Sequence, residues 1–199
     1  MIAPRSVAIL QELINIGVGK GAEVLNTLLN RHVVLAVPEV TQVQQGALLD
    51  ALGIDQTQAL SCVQMGYKGS LEGVVQLIFP DEIAEELVCL IIGENYAVEE
   101  FDFIRQATLT EVGNIVINAV IGTLSNIFGF SLQYTLPSFR GGTLAEIESQ
   151  AEVAEAQLIL VARTKFTIQE LSVVGNMVLF FTMPTDKDLE EALESYVNR

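Results

Sequence analysis

Two stretches of this chain repeat one pattern of apolar and polar positions. They are residues 8–38 and 107–137, and their numbers differ by a constant 99. Laid over each other without a gap, they share Ala, Leu, Glu, Asn, Ile, Leu and Pro at the same positions. A helix repeated only for its apolar face would keep its hydrophobic period. It would not be expected to keep a Glu, an Asn and a distant Pro as well.

The spacing of the apolar residues predicts that each stretch begins with an amphipathic helix. At about 100° per residue, the apolar positions of each helix fall within roughly 40° of one line, as expected for a helix that faces a core. The predicted faces are Val7, Leu10, Ile14, Val18, Gly21, Leu25 and Leu28 in the first helix, and Leu109, Gly113, Ile117, Val120, Leu124 and Ile127 in the second.

The shared Glu and Asn residues lie away from these apolar faces. Glu12 and Asn15 lie roughly 160° and 100° from the line, and Glu111 and Asn114 occupy the same angles on the second helix. The chain is therefore predicted to present two carboxylate and carboxamide pairs outward. We call Glu12 with Asn15 the first pair, and Glu111 with Asn114 the second pair.

The residues alone leave two interpretations of these pairs open. An exposed Glu and Asn three positions apart are, taken singly, more often plain solvated surface than a functional site. Asn is also a poor helix former, since its side chain competes for backbone hydrogen bonds. The same unfavourable residue occurs twice beside a Glu at the same helical angle, which makes a functional site as tenable as plain surface.

The remaining pattern predicts a mixed α and β fold. In the first half we expect a helix to about residue 30, a strand 33–37 that Pro38 ends, and further extended structure at 41–43. A loop or short helix 46–55, strands 59–67 and 73–79, and a helix that starts at Pro80 should follow. In the second half we expect a helix 102–128, a strand ending at Pro137, a loop to residue 150, strands 153–168 and 171–183, and a helix that Pro184 opens. This order predicts one internally duplicated α+β domain, with repeats of about 1–98 and 99–199, pseudo-two-fold symmetry, and long helices packed on an antiparallel sheet.

Composition narrows the class of protein further. Half of the 199 residues are hydrophobic, but the longest apolar runs, 87–93 and 173–183, are too short to span a bilayer. The N-terminus shows no signal-peptide pattern, because Arg5 precedes an amphipathic segment. A net charge of −15 argues against nucleic acid as a partner. We therefore expect a cytoplasmic protein without membrane insertion.

No other constellation of reactive residues competes with the two pairs. Cys62 and Cys89 have neither the number nor the spacing of a disulfide framework or a zinc site. His32 has no Cys or second His to join it in a metal site or a catalytic triad. The chain also lacks a Walker loop, a convergent Arg cluster and a magnesium cage, so we expect no cofactor of its own.

The repeated motif resembles a known family. Glu, two residues, Asn, 22 residues and Pro occur twice in this chain, as in the CheC, CheX and FliY phosphatases of bacterial chemotaxis, and most closely as in CheC, which has both copies in one short chain. Residues 15–19, Asn-Ile-Gly-Val-Gly, also look like that family. Ala8 and Ala107 depart from it, since the family usually has Asp or Ser there.

The resemblance implies a fold with the two motif helices side by side and an activity toward phosphorylated CheY. The aspartyl phosphate, the lysine and the magnesium ion would all belong to that response regulator. Asn15 and Asn114 would then orient a water molecule, a role that suits an amide because it offers a donor and an acceptor without titrating. Glu12 and Glu111 would pair with the lysine of the partner.

Two alternatives to a regulator phosphatase stay open. One is a non-catalytic adaptor that binds a response regulator or a CheD-like deamidase, with Ala8 and Ala107 marking lost activity. The other is a self-contained hydrolase with paired carboxylates. The sequence disfavours the hydrolase, because no His, Cys nucleophile or second acid is predicted beside either Glu.

Overall fold

Helices and strands follow one another in the same order in the two halves of the chain. The structure, a computed structural model, describes residues 3–93, 98–150, 158–168, 171–183 and 186–197. The first half contains helix α1 (Pro4–Leu29), strand β1 (Val33–Val43), a 3-10 turn (Gln45–Ala47), helix α2 (Leu48–Leu52), strands β2 (Leu60–Gly69) and β3 (Glu72–Pro80), and helix α3 (Asp81–Ile92). The second half contains helix α4 (Val98–Phe128), strands β4 (Leu132–Tyr134) and β5 (Ser138–Gly142), helix α5 (Leu144–Gln150), strands β6 (Leu158–Ile168) and β7 (Leu171–Met183), and helix α6 (Asp186–Val197). The strand start predicted at residue 153 and the helix start predicted at Pro184 lie outside the described residues.

The strands form one seven-stranded antiparallel sheet in the order β1-β6-β7-β3-β2-β4, with β5 also paired to β2. The predicted α and β fold with an antiparallel sheet is therefore confirmed. Under the offset of 99 residues, β1 corresponds to β4 and β5, β2 to β6, and β3 to β7. Read from either edge, the sheet therefore has the same order of equivalent strands. At one edge β1 of the first half pairs with β6 of the second half, and at the other edge β4 of the second half pairs with β2 of the first half. We infer that the two repeats form a single domain.

Two hydrophobic cores lie on opposite faces of this sheet. Residues of α1, α3, α4 and α6 belong to the larger core, and residues of α2 and α5 to the smaller one. Strand β2 shows the alternation expected of a strand buried on both faces, because Val63 and Met65 belong to the larger core and Cys62 to the smaller one. The long helices are thus packed on one face of the sheet.

Helices α1 and α4 pack against each other with almost no space between their backbones. A Cβ atom at Gly17 would lie 2.6 Å from the Cα atom of Val120, and one at Gly21 would lie 3.4 Å from the Cα atom of Val116. These contacts run in opposite order along the two helices, so the helices are antiparallel. Gly19 differs, because a Cβ atom there would meet no atom within 4 Å. Gly17 and Gly21 therefore permit the close approach of α4.

The predicted apolar faces agree with the burial of both helices except at one end. From Leu10 to Leu25, the predicted residues of α1 are buried, and on α4 burial extends from Leu109 to Leu124. Leu28 is 59% exposed. Leu29, the last residue of α1, packs against the core in its place.

The segment 138–150 was predicted to be a loop and instead contains β5 and α5. The backbone N–H of Thr143 donates to the Glu146 carboxylate at 2.8 Å, and the backbone N–H of Glu146 donates to the Thr143 hydroxyl at 3.4 Å. This reciprocal arrangement is a capping box, which stabilises the start of α5. The hydrogen bonds from Thr143 also lower the pKa of Glu146 below its ordinary value. The spacing Thr-x-x-Glu is the signal that predicts this helix start.

Helix α4 is long and apolar enough by composition to cross a membrane. The stretch Phe101–Phe128 contains a window with a mean hydropathy of 1.3, and 50% of that window is buried inside the protein. A core helix of this kind meets the same criterion, and α4 contacts α1, β2 and β3. The absence of membrane insertion stays a prediction.

Substitution of two neighbouring glycines should have opposite effects on stability. Gly17→Ala should lower the free energy of unfolding by roughly 1–3 kcal/mol, because the added methyl group would overlap the backbone of α4. Gly19→Ala should raise it by up to about 1 kcal/mol, because Ala favours a helix and the space there is open. Urea unfolding followed by circular dichroism measures both. If both substitutions changed the free energy of unfolding by the same amount and in the same direction, the close contact between α1 and α4 at Gly17 would be contradicted.

Candidate functional site

The four predicted site residues lie at the surface of the two central helices. Glu12 and Glu111 are exposed, and Asn15 and Asn114 are half-buried. Neither Asn lies in the core, which agrees with the outward angle predicted from the helical period. The functional role of the four residues stays a prediction. The two pairs differ in the hydrogen bonds of their Asn side chains.

In the first pair, the Asn15 side chain is bonded to the backbone of β1. Its Nδ2 atom donates to the carbonyl of Val37 at 2.8 Å, and its Oδ1 atom accepts from the N–H of Val37 at 2.8 Å. Nδ2 also donates to the carbonyl of Gln11 at 3.1 Å, within the helix. The Asn15 amide therefore pairs with Val37 as a neighbouring strand would.

A bulge in β1 explains why Val37 needs this partner. The pairing of β1 with β6 shifts register between Ala36 and Glu39, and the residue between Val37 and Glu39 is Pro38, which has no N–H to donate. The Gln11 side chain donates to the Pro38 carbonyl at 2.7 Å. Gln11 and Asn15 of α1 thus satisfy backbone groups that β6 leaves unpaired.

This bulge corrects the prediction that Pro38 ends the strand. Strand β1 continues through Pro38 to Val43. It can do so because β1 is an edge strand, where a residue without an N–H and a bulge are both tolerated. The spacing between Asn15 and Pro38 therefore has a structural explanation in the first copy. The contributions of Gln11 and Val37 had not been predicted from the sequence.

In the second pair, Asn114 is bonded to its own helix instead. The Nδ2 atom of Asn118 donates to Oδ1 of Asn114 at 2.7 Å and to the Asn114 carbonyl at 2.9 Å. Among the described residues, the Nδ2 atom of Asn114 donates no hydrogen bond. Leu136 occupies the position equivalent to Val37, between β4 and β5, and is 88% exposed. The second pair is therefore free of the strand contact that holds the first.

The nearest cation in sequence to the second pair is already engaged. The guanidinium group of Arg105 lies 3.2 Å from Asp81, 3.7 Å from Glu85 and 3.7 Å from Asp102, and only 13% of its side chain is exposed. These contacts join α4 to α3. The charge of Arg105 is thus used within the fold, and we assign it no role toward a phosphoryl group.

The predicted site lies on the outer surface of two helices. One cleft of about 390 Å³ is lined by residues of β2, β3 and β4 and by Thr135, and none of the four site residues belongs to its lining. A pair of side chains on an open surface can reach into a partner, whereas it cannot enclose a small substrate. The geometry thus suits a macromolecular partner.

The other reactive residues show no arrangement for catalysis. Cys62 lies in the smaller core, where burial raises the pKa of its thiol to about 12, so it is protonated near neutral pH. Cys89 is half-buried and His32 is exposed. Within the described part of the chain, no three His, Cys, Asp or Glu side chains form a group that could hold a metal ion.

A family model and a sequence relative match this chain. The model for chemotaxis phosphatase CheX matches residues 61–160. The CheY-P phosphatase CheC of Bacillus subtilis is 28% identical over 132 residues, which make up 65% of this chain and 63% of that protein, so less than two thirds of the relative is spanned. The chain belongs to the chemotaxis phosphatase CheX family. The resemblance seen in the repeated Glu, Asn and Pro is thereby confirmed.

Two solved structures share the fold. FliY of Thermotoga maritima is 19% identical with a TM-score of 0.76, covering 98% of this chain and 99% of that one. The FliM middle domain of H. pylori is 13% identical with a TM-score of 0.60, covering 97% of this chain and 99% of that one. At these identities the likeness establishes the fold alone.

The two asparagines should differ in what they contribute to stability. Asn15→Ala should lower the free energy of unfolding by about 1–3 kcal/mol. It leaves the N–H of the buried Val37 without a partner and leaves the Val37 carbonyl only the 3.4 Å contact from Gln11. Asn114→Ala should change it by less than about 0.5 kcal/mol, because its contact with Asn118 is exposed. Urea denaturation of both variants is the measurement, with Asn126→Ala as a control at an exposed site on α4. A loss of the same size in both would contradict the contact between Asn15 and Val37.

Proposed function

We propose that this protein accelerates hydrolysis of the aspartyl phosphate of a CheY-type response regulator, and so ends or adapts a chemotaxis signal in a two-component pathway. The proposal rests on the geometry of the second pair. Glu111 and Asn114 place a carboxylate and an amide one turn apart on the surface of α4, and the Asn114 nitrogen donates no hydrogen bond to the described residues. Family membership supports the class of activity, and the partner and the chemistry are our proposal.

In the proposed reaction, Asn114 orients the attacking water. The water oxygen forms a bond to phosphorus while the bond from phosphorus to the aspartate oxygen breaks, which releases inorganic phosphate and restores the carboxylate of the regulator. The transition state of phosphoryl transfer is loose, so it requires a positioned, in-line water more than a strong base. An amide meets this requirement because it holds the water without titrating.

Glu111 fixes the orientation of the partner in this proposal. Its exposed carboxylate can form a charge-assisted hydrogen bond with a lysine beside the phosphorylated aspartate. Glu111 precedes Asn114 by three residues on the helix, so the two side chains reach the same small region of a partner. The regulator supplies the phosphoryl group and the magnesium ion, which neutralises the developing charge.

The first pair is proposed to act in the same way but with a smaller share. The Asn15 amide is bonded to Val37 through both its oxygen and its nitrogen, so these bonds must weaken for it to orient a water as Asn114 does. Leaving the buried N–H of Val37 without a partner costs about 1–3 kcal/mol. Glu12 is exposed like Glu111. We therefore expect each pair to act on a separate regulator molecule and the second pair to be faster.

A non-catalytic adaptor is the second candidate. The engagement of Asn15 with the backbone favours it for the first copy, and Ala8 and Ala107 are exposed without a polar group. In this candidate the two helix surfaces bind a response regulator or a CheD-like deamidase without hydrolysis. We also propose that the protein is cytoplasmic.

Dephosphorylation of a phosphorylated regulator by single and double variants tests the proposal. Asn114→Ala should remove most of the activity and Asn15→Ala a smaller part, whereas the double variant should lose about 100-fold or more, on the scale of one positioned transition-state contact per site. The measurement is the rate of phosphate loss from a labelled regulator, made below the unfolding temperature of each variant. Small phosphate esters serve as the control and should not be hydrolysed. A wild-type protein that binds the regulator without changing this rate would establish the adaptor instead.

The metal requirement gives an independent prediction. The purified protein should contain no stoichiometric metal, yet turnover should depend on magnesium, because the phosphorylated partner binds the ion. Elemental analysis measures the metal content of the purified protein. Titration of magnesium into a chelator-treated reaction measures the dependence of turnover on magnesium. A tightly held transition metal would favour the self-contained hydrolase.

A further inference from the structure

A second asparagine, Asn118, is hydrogen-bonded to the side chain of Asn114. The Nδ2 atom of Asn118 donates both to Oδ1 of Asn114 and to its backbone carbonyl, at 2.7 and 2.9 Å. Both residues lie on α4, one turn apart, and Asn118 is exposed. Both bonds come from the Asn118 nitrogen, so they tie the Asn118 side chain to the side chain and to the backbone of Asn114.

We propose that Asn118 is a positioning residue for the second pair, which holds the Asn114 amide in the orientation that receives water. The proposal rests on the proposed phosphatase function. With one lone pair of Oδ1 occupied by Asn118, the amide plane of Asn114 is set before any partner arrives. The second lone pair and both Nδ2 hydrogens remain for the water. The Asn114 side chain then loses less rotational freedom on reaction than an unrestrained amide would.

The first copy of the motif shows what happens without this residue. Gly19 occupies the position equivalent to Asn118, and it has no side chain to offer. Asn15 takes its hydrogen bonds from Val37 instead. Both motif asparagines are thus held by hydrogen bonds, Asn15 by Val37 and Gln11 and Asn114 by Asn118. Only in the second copy do these bonds leave the donors of the motif amide available. Asn118 therefore distinguishes the two pairs.

Steady-state kinetics on a phosphorylated regulator tests the role of Asn118. The background carries Glu12→Lys, which should silence docking at the first pair without touching the contact between Asn15 and Val37. In this background Asn118→Ala should lower kcat by about 3- to 10-fold, the range for one neutral hydrogen bond, and leave KM unchanged. Asn118→Asp keeps the shape of the side chain but removes the donor, and it should lower kcat at least as much. Asn126→Ala and Asn126→Asp, at an exposed site on the same helix, are the matched controls and should retain the kcat of the background.

A measurement that needs no activity separates this inference from the proposed function. The ¹⁵N relaxation of the Asn114 side-chain amide should report greater mobility in Asn118→Ala and no change in Asn126→Ala. Asn118→Ala should also have no further effect on kcat once Asn114 is replaced by Ala. A KM that rises alone, or unchanged mobility of Asn114, would overturn the positioning role. If the wild-type protein is active and both Asn118 variants keep its kcat, the positioning role is overturned and the proposed function stands. If the wild-type protein has no phosphatase activity, both proposals are overturned.

Discussion

The contact between α1 and α4 is the constraint on which the rest of the structure depends. Both helices sit on one face of a single sheet, and the absence of side chains at Gly17 and Gly21 lets their backbones approach. This close approach leaves the opposite side of each helix at the surface. The Glu and Asn pairs occupy that surface, so the helix contact both builds the core and decides which residues a partner can reach.

The repeated asparagine has different hydrogen-bond partners in the two copies of the motif. In the first copy it completes the hydrogen bonding of a bulged edge strand, and in the second it is held by a neighbouring side chain of its own helix. The sheet edges differ accordingly, since β1 is one long strand whereas its counterpart is divided into β4 and β5. The two copies of the motif thus contain the same asparagine in different surroundings.

Much of the fold follows from local patterns in the sequence. The helical period predicted which faces of α1 and α4 are buried, and β7 begins and ends where its apolar pattern predicts. Helix α5 was missed although its Thr143 and Glu146 carry a readable capping signal, because the glycines and serines around it favoured a loop. The spacing of Glu, Asn and Pro was sufficient to predict the family.

The hydrogen bonding of the site was less predictable, and the reason is the range of the contacts. Asn15 and Val37 are bonded only because a bulge in β1 leaves Val37 unpaired, and the bulge depends on the pairing of β1 with a strand more than a hundred residues away. No local pattern contains that information. The contact between Asn114 and Asn118 is one helical turn long, so it could have been predicted from the sequence.

The alternation of strands from the two halves has a consequence for the origin of the chain. Each half places its first strand at an edge beside the second strand of the other half, so neither half can complete this sheet by itself. A polypeptide of half the length could build the same sheet only by associating with a second copy around a two-fold axis. The present chain is then equivalent to such a dimer joined end to end, and because the two halves are covalently connected, their helix surfaces can differ in sequence.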